Sequence, residues 1–384
     1  VSHRQARWTF SAIAFVVVAA LLGATVDHYW HLVLRRVDRQ FGTGYVPNPE
    51  GTRAFLRELD QPTFREAGAE VIRAARGVDA YLYRYADRAH RARYGTPFGP
   101  LNQGSIGTCV GHGFATGSYV GQAVDWSQGG LPEPPLEVSV EPLYSGSRTF
   151  ARMPPVANAG YSDGSFGAAA ARWVSGRCKD PTVGGILFCQ RYGSHDLTSY
   201  DIPRAKQWGA SGPPLELAKI ANQHTAREVA LCEDWQSLTA ALENGLCVPI
   251  CSNVGFRDQD RDADGFLARR GNWAHCMVVI GVKYAKNNGP GSPHPMANPR
   301  DGVLVMNSWG ANWVKGGKHP PDQPDGSFYI TRADAELILS QGDSFVIGSV
   351  DGFKARKLDN KDWGADERGV ARVLDNSAWG GLAL

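Results

Sequence analysis

Three hydrophobic patterns divide the 384-residue chain. Thr9 to Val26 (TFSAIAFVVVAALLGATV) is an uncharged, mostly apolar run, long enough to cross a bilayer as a helix. From Thr52 to Tyr94 the apolar positions Phe55, Leu56, Leu59, Phe64, Ala67, Val71, Ile72, Ala75 and Val78 recur at threes and fours, which predicts helices, divided at Pro62 and Gly77. Further helices are expected after Gly107 (CVGHGFA), across DGSFGAAAARWVSG (Asp163 to Gly176), and across WQSLTAALENG (Trp235 to Gly245), which ends in a stopping glycine. Beyond residue 245 the pattern changes to short apolar runs. LCVPICSNV, CMVVIGVKY (Cys276 to Tyr284), GVLVMNSW (Gly302 to Trp309), GSFYI and SFVIGSV read as strands between turn-rich loops. Helices first and antiparallel strands later predict an α+β fold with two lobes.

Composition narrows the function classes. A net charge of +2 supplies no strong field for nucleic acid. The arginines of YLYRYADRAHRARY (Arg84, Arg88, Arg91 and Arg93) fit the solvated face of a helix better than a binding stripe. Arg4 and Arg7 precede the apolar run, and Trp8, Tyr29 and Trp30 flank it as interfacial aromatics do. An uncleaved anchor fits this run better than a cleaved signal peptide, because no clean small-x-small site follows it. Arg35, Arg36 and Arg39 beyond the run blunt the charge asymmetry that would fix orientation, and an outward-facing C-terminal domain is the expectation.

Seven cysteines are an odd number, so at least one stays free if the others pair. Cys178 and Cys189 flank a short loop that a disulfide could close. No two cysteines stand as a CxxC pair, so no zinc site and no cofactor are implied. Asp260, Asp262, Asp264 and Gly265 follow the order of a calcium loop, but Gly271 occupies the position that needs a bidentate Glu, and a solvated acidic loop is the better reading.

The stretch QGSIGTCVGHGFA (Gln103 to Ala115) places Cys109 at an expected helix N-terminus, where the helix dipole favours a thiolate. Taken alone, it reads equally well as a buried structural cysteine in a glycine-rich turn. His275 opens one apolar strand and Asn307 closes the next, so antiparallel neighbours could bring the two side chains together. His112, one turn after Cys109, is a nearer imidazole with no matching orienting group, and reads as a packing residue.

In the order Cys, His, Asn, these stretches resemble the papain-like cysteine peptidases, over about residues 97 to 350. The family's separations of roughly 130 to 150 residues are exceeded here. The resemblance implies Cys109 as nucleophile, His275 as base, Asn307 as the group orienting that base, and Gln103 as a side-chain donor to the oxyanion. It also implies Trp309 of the NSWG run as a shield over the Asn–His pair, and Asp163, Gly164 and Ser165 as a wall of the substrate cleft. Ile106, Val110 and Val314 depart from the family pattern and leave its disulfide arrangement and cleft detail open. The implied organisation is a membrane anchor at 1–30, a helical linker or pro-like region at 31–96, a two-lobed papain-like domain at 97–350 and a tail at 351–384. The implied activity is hydrolysis of protein or peptide substrates by a membrane-anchored, extracytoplasmic enzyme. A catalytically silent peptide-binding scaffold and a thiol acyltransferase are the alternatives.

Overall fold

The computed structural model describes residues 43–153, 163–256, 260–349 and 351–358. The apolar run 9–26 lies outside them. Among the described residues no helix is long and apolar enough to cross a membrane.

The fold is α+β, and its centre is the strand Asn272–Lys283, whose residues from Cys276 onward are all buried. One edge of this strand pairs antiparallel with Val248–Val254 along its first part and with Ala80–Tyr81 near its end. Its other edge pairs antiparallel with Gly302–Met306, which pairs in turn with Ser327–Thr331. A run buried on both sides needs no polar alternation, which is why CMVVIGV is continuously apolar. Phe345–Ile347 does not join this sheet; it pairs with Val229–Leu231 as a separate two-stranded ribbon.

The Cys109–Ser127 helix packs across the sheet and is buried along most of its length. Leu82–Tyr94, Val140–Arg148 and Gly167–Val174 pack around it, and Gly95 (φ 71°) ends the first of these in a left-handed C-cap. Trp235–Glu243 starts at Asp234, whose carboxylate accepts from Ser237 N. The helical stretch before residue 97 breaks after Leu56 and after Ala74, close to Pro62 and Gly77.

Residues 43–96, expected as a linker, are part of the same compact unit as the rest of the described chain. Ala80–Tyr81 is a strand of the main sheet. The arginines of this region are spent locally: Arg84 Nε donates to Asp322 at 2.7 Å, Arg91 to Asp87 at 2.7 Å and Arg93 to Glu133 at 3.2 Å. At the other end Phe353 packs edge-on against Phe64 and Arg356 pairs with Asp125, so the start of the tail is also held. All seven cysteines are free thiols, Cys178 and Cys189 included, so the loop between them is not closed by a bridge.

Candidate active site

His275 and Asn307 meet because their strands are antiparallel neighbours, with Val278 opposite Met306, so the residue after Met306 returns alongside the start of the His275 strand. His275 Nε2 lies 2.7 Å from Asn307 Oδ1. The same Oδ1 accepts the backbone N–H of Ser308 at 2.7 Å, which identifies it as the amide oxygen. Nε2 must therefore carry the proton, and Nδ1 is left as the basic nitrogen. Nδ1 is buried and has no hydrogen-bond partner. Burial lowers the imidazole pKa to about 4 against the opposing bond to Asn307, so the ring is neutral at pH 7.

An aromatic box closes over this pair. Trp309 lies 4.6 Å from the His275 ring at an interplanar angle of 33°, and Trp273 and Trp313 meet Trp309 edge-on at 4.7 and 5.2 Å. Removing water from the His–Asn bond strengthens it, since a hydrogen bond in a low-dielectric interior has no solvent competitor.

Gln103 is fully buried. Its Oε1 accepts the Ser308 hydroxyl at 2.6 Å and its Nε2 donates to Ile106 O at 2.9 Å. Its backbone N–H donates to Ser308 O at 2.9 Å. With the oxygen committed to Ser308, the NH2 end faces the Ile106–Cys109 turn. Ser308 thus holds both Gln103 and Asn307, a role with no separate signal in the sequence.

Cys109 is the first residue of its helix and is fully buried. Burial and the neighbouring Cys276 raise its pKa well above the ordinary thiol range, while backbone N–H groups of Cys276, Gly44 and Val110 act the other way. The depressed pKa expected from the helix N-terminus is therefore not found in this conformation; desolvation outweighs the dipole. Cys109 and His275 are not joined by a hydrogen bond here.

The covering element is the segment 43–46. Gly44 N and Tyr45 N donate to Ala274 O at 3.1 and 3.2 Å, Ser165 N donates to Gly44 O at 2.8 Å, and Val46 N donates to Ser165 O at 2.8 Å. The segment is thereby pinned to the residue before His275 on one side and to Ser165 on the other. A Cβ on Gly44 would lie 2.1 Å from Gly107 O, so only glycine fits at this crossing. Asp163 contributes at this point too, its Oδ2 accepting Gly107 N at 3.4 Å, and Ser165 Oγ lies 2.7 Å from Ser147 Oγ. Gly164 N donates to the Tyr144 hydroxyl at 3.3 Å.

His112 donates from Nδ1 to Thr108 O at 3.0 Å, and its ring meets Tyr200 edge-on at 4.8 Å. Its Nε2 is buried without a partner, and burial lowers its pKa to about 4. The carboxylates of the acidic loop are already engaged: Asp262 accepts Asp264 N and Phe266 N, Asp264 accepts Ala297 N and Asn298 N from another loop, and Arg300 pairs with both. Among the described residues no group of three or more His, Cys, Asp or Glu is arranged to hold a metal ion.

No family model matches the chain, and no curated protein matches it. Solved structures similar to it include xylellain, a cysteine protease from Xylella fastidiosa, at 19% identity over 81% of this chain and 97% of that one, with a TM-score of 0.49. Procathepsin B S9 from Trypanosoma congolense is 13% identical over 81% and 87% of the two chains, with a TM-score of 0.47. The bromelain protease from Ananas comosus is 14% identical over 67% and 96%, with a TM-score of 0.39.

Proposed function

We propose that the chain is a cysteine peptidase in which Cys109 is the nucleophile, His275 the base and Asn307 the group that orients the base. The observation that carries this reading is the 2.7 Å bond between His275 Nε2 and Asn307 Oδ1, with Oδ1 identified by Ser308 N–H. It leaves Nδ1 unprotonated, as a group that takes a thiol proton has to be. Proton transfer from Cys109 to Nδ1 gives a thiolate and an imidazolium, and the thiolate attacks the peptide carbonyl. The Gln103 side-chain amide and the Cys109 backbone N–H donate to the tetrahedral oxyanion. His275 then returns its proton to the leaving amine, and water attacks the thioester with His275 again as base.

Segment 43–46 occupies the space that a substrate needs, between Ser165 and Ala274. Substrate binding requires it to leave, and its departure opens Cys109 to solvent and to His275. This supports an enzyme held inactive in the conformation described. The anchor reading rests on the apolar run 9–26 alone, and we retain it with the peptidase domain on the extracytoplasmic side.

The test is hydrolysis of a quenched fluorescent casein by the chain, compared with Cys109→Ala. The expected result is loss of all turnover in the variant, and prior treatment of the parent chain with a peptidyl epoxide should leave one adduct, on Cys109. Equal hydrolysis by both chains overturns the reading. Amide products formed with added amine nucleophiles, without free acid, would identify an acyltransferase instead.

A further inference from the structure

Below the first turns of the Cys109 helix the sheet presents two more thiols that the proposed mechanism does not use. Cys251 and Cys276 are directly opposed in the antiparallel pair Val248–Val254 and Asn272–Lys283, and both are fully buried. Side chains at directly opposed positions share one face of the sheet, with Cβ atoms about 4.5–5.5 Å apart. The Cys276 thiol donates to Met277 O at 3.7 Å rather than to Cys251.

Cys276 also reaches up to the helix. A Cβ on Gly113 would come 3.0 Å from Cys276 Sγ, so the absence of a side chain at 113 lets the sulfur approach the helix. Gly113 follows Cys109 by one helical turn and lies on the same face, so Cys276 Sγ sits beneath the turn that carries the nucleophile. Cys276 is also close enough to the Cys109 thiol to interact with it electrostatically. Cys276 thus neighbours Cys251 across the strand pair and Cys109 at the start of the helix.

We propose that Cys276 is a resolving thiol for Cys109: when a hydroperoxide oxidises the nucleophile, Cys276 captures it as a Cys109–Cys276 disulfide. This rests on Cys109 being the nucleophile proposed above. In the first step, with segment 43–46 displaced and the Cys109 proton passed to His275, the Cys109 thiolate attacks the peroxide, the O–O bond breaks, and an S–O bond forms, giving a sulfenic acid and, as the leaving oxygen takes up a proton, water or an alcohol. In the second, the Cys276 sulfur attacks the Cys109 sulfur, the S–S bond forms, the S–O bond breaks, and the hydroxide leaves as water with the Cys276 proton. The two thiols supply the two electrons that the peroxide accepts. A dithiol reductant returns both cysteines to thiols and is itself oxidised to a disulfide. The enzyme is thereby stopped at a reversible rung, short of the sulfinic acid from which a thiol cannot rescue it.

The experiment treats the full chain, freed of reductant, with hydrogen peroxide, blocks remaining thiols with N-ethylmaleimide under denaturing conditions, and maps non-reduced peptides by mass spectrometry. The expected product is a linked Cys109–Cys276 peptide, with hydrolysis restored by dithiothreitol. In Cys276→Ala the link is absent, Cys109 gains two or three oxygens, and dithiothreitol recovers roughly a tenth or less of the rate, against most of it in the parent. Cys251→Ser should retain the Cys109–Cys276 link, which keeps the idea open to refutation if Cys276→Ala does not fold. Sulfinic acid at Cys109 in the parent chain, a link confined to Cys251–Cys276, or an unmodified Cys109 each overturns the proposal. Detecting the link requires no turnover, so a chain that forms it but hydrolyses nothing defeats the peptidase reading separately.

Discussion

The two sides of the candidate site are prepared to different degrees. On the sheet side, His275, Asn307, Ser308 and Trp309 are bonded and packed into one arrangement: the tautomer is set, the ring is roofed by indoles, and no residue has to move before Nδ1 can accept a proton. On the helix side, Cys109 is buried beneath segment 43–46 with its thiol held neutral. The proposed base is built by the sheet, where paired strands fix positions, and the proposed nucleophile lies beneath a segment held by four backbone hydrogen bonds. Readiness in the proposed mechanism therefore belongs to the sheet, and control to the segment laid over the helix start.

Breaking the prepared side should have the largest effect. His275→Ala is expected to lower kcat/KM by about 10³–10⁴, and Asn307→Ala by about 10², because the second change leaves a base but frees its tautomer and ring orientation. Steady-state kinetics on a peptide substrate checks both, and equal losses would mean that Asn307 does more than orient. Gln103→Ala should cost about 10²–10³ in kcat with little change in KM, as expected for a donor used only on the oxyanion.

The controlled side should respond in the opposite direction. Gly44→Val cannot keep the crossing at Gly107, so the segment should lift and initial rates rise several-fold, with any lag in the progress curve shortened. Unchanged or lower rates would show that 43–46 does not restrain the site.

The smallest expected effect is on stability against pH. His275 and His112, each lowered to about 4 mainly by burial, are folded in neutral form. Between their ordinary value near 6.5 and about 4 the unfolded chain binds protons that the folded chain does not, so their contribution is present above pH 6.5 and lost on acidification. Asp343 acts oppositely: burial raises it to about 7, so its contribution is present below pH 3.8 and lost as the pH rises through 7. Two histidines against one aspartate should leave a Tm that falls by a few degrees from pH 6.5 to 4, and Asp343→Asn should steepen that fall in a calorimetric scan.

Much of this was legible in the sequence because the relevant signals are periodic or contiguous. The apolar run after His275 marked the central strand, and the NSWG stretch placed Asn307 at a strand end beside Trp309. What escaped had no pattern to carry it. Ala80–Tyr81 is a two-residue strand, too short to alternate, so residues before 97 read as a linker although one of their strands pairs in the main sheet. Gly44 works by having no side chain, and a single glycine in TGYVP resembles any turn. Trp273 and Ser308 act through partners brought close only by folding. The raised thiol pKa is hidden for a related reason: a helix N-terminus can be read from residues 103–115, but the burial that outweighs it exists only after folding.

In the proposed enzyme, segment 43–46 belongs to the same chain as the cleft it fills, and this sets how it competes. A tethered ligand has an effective concentration fixed by its connection, commonly in the millimolar range for short links, and independent of how much protein is present. Dilution therefore cannot relieve it. A free peptide must either match that local concentration or exploit contacts the segment lacks, so weak substrates are turned away at the cleft before chemistry can discriminate among them.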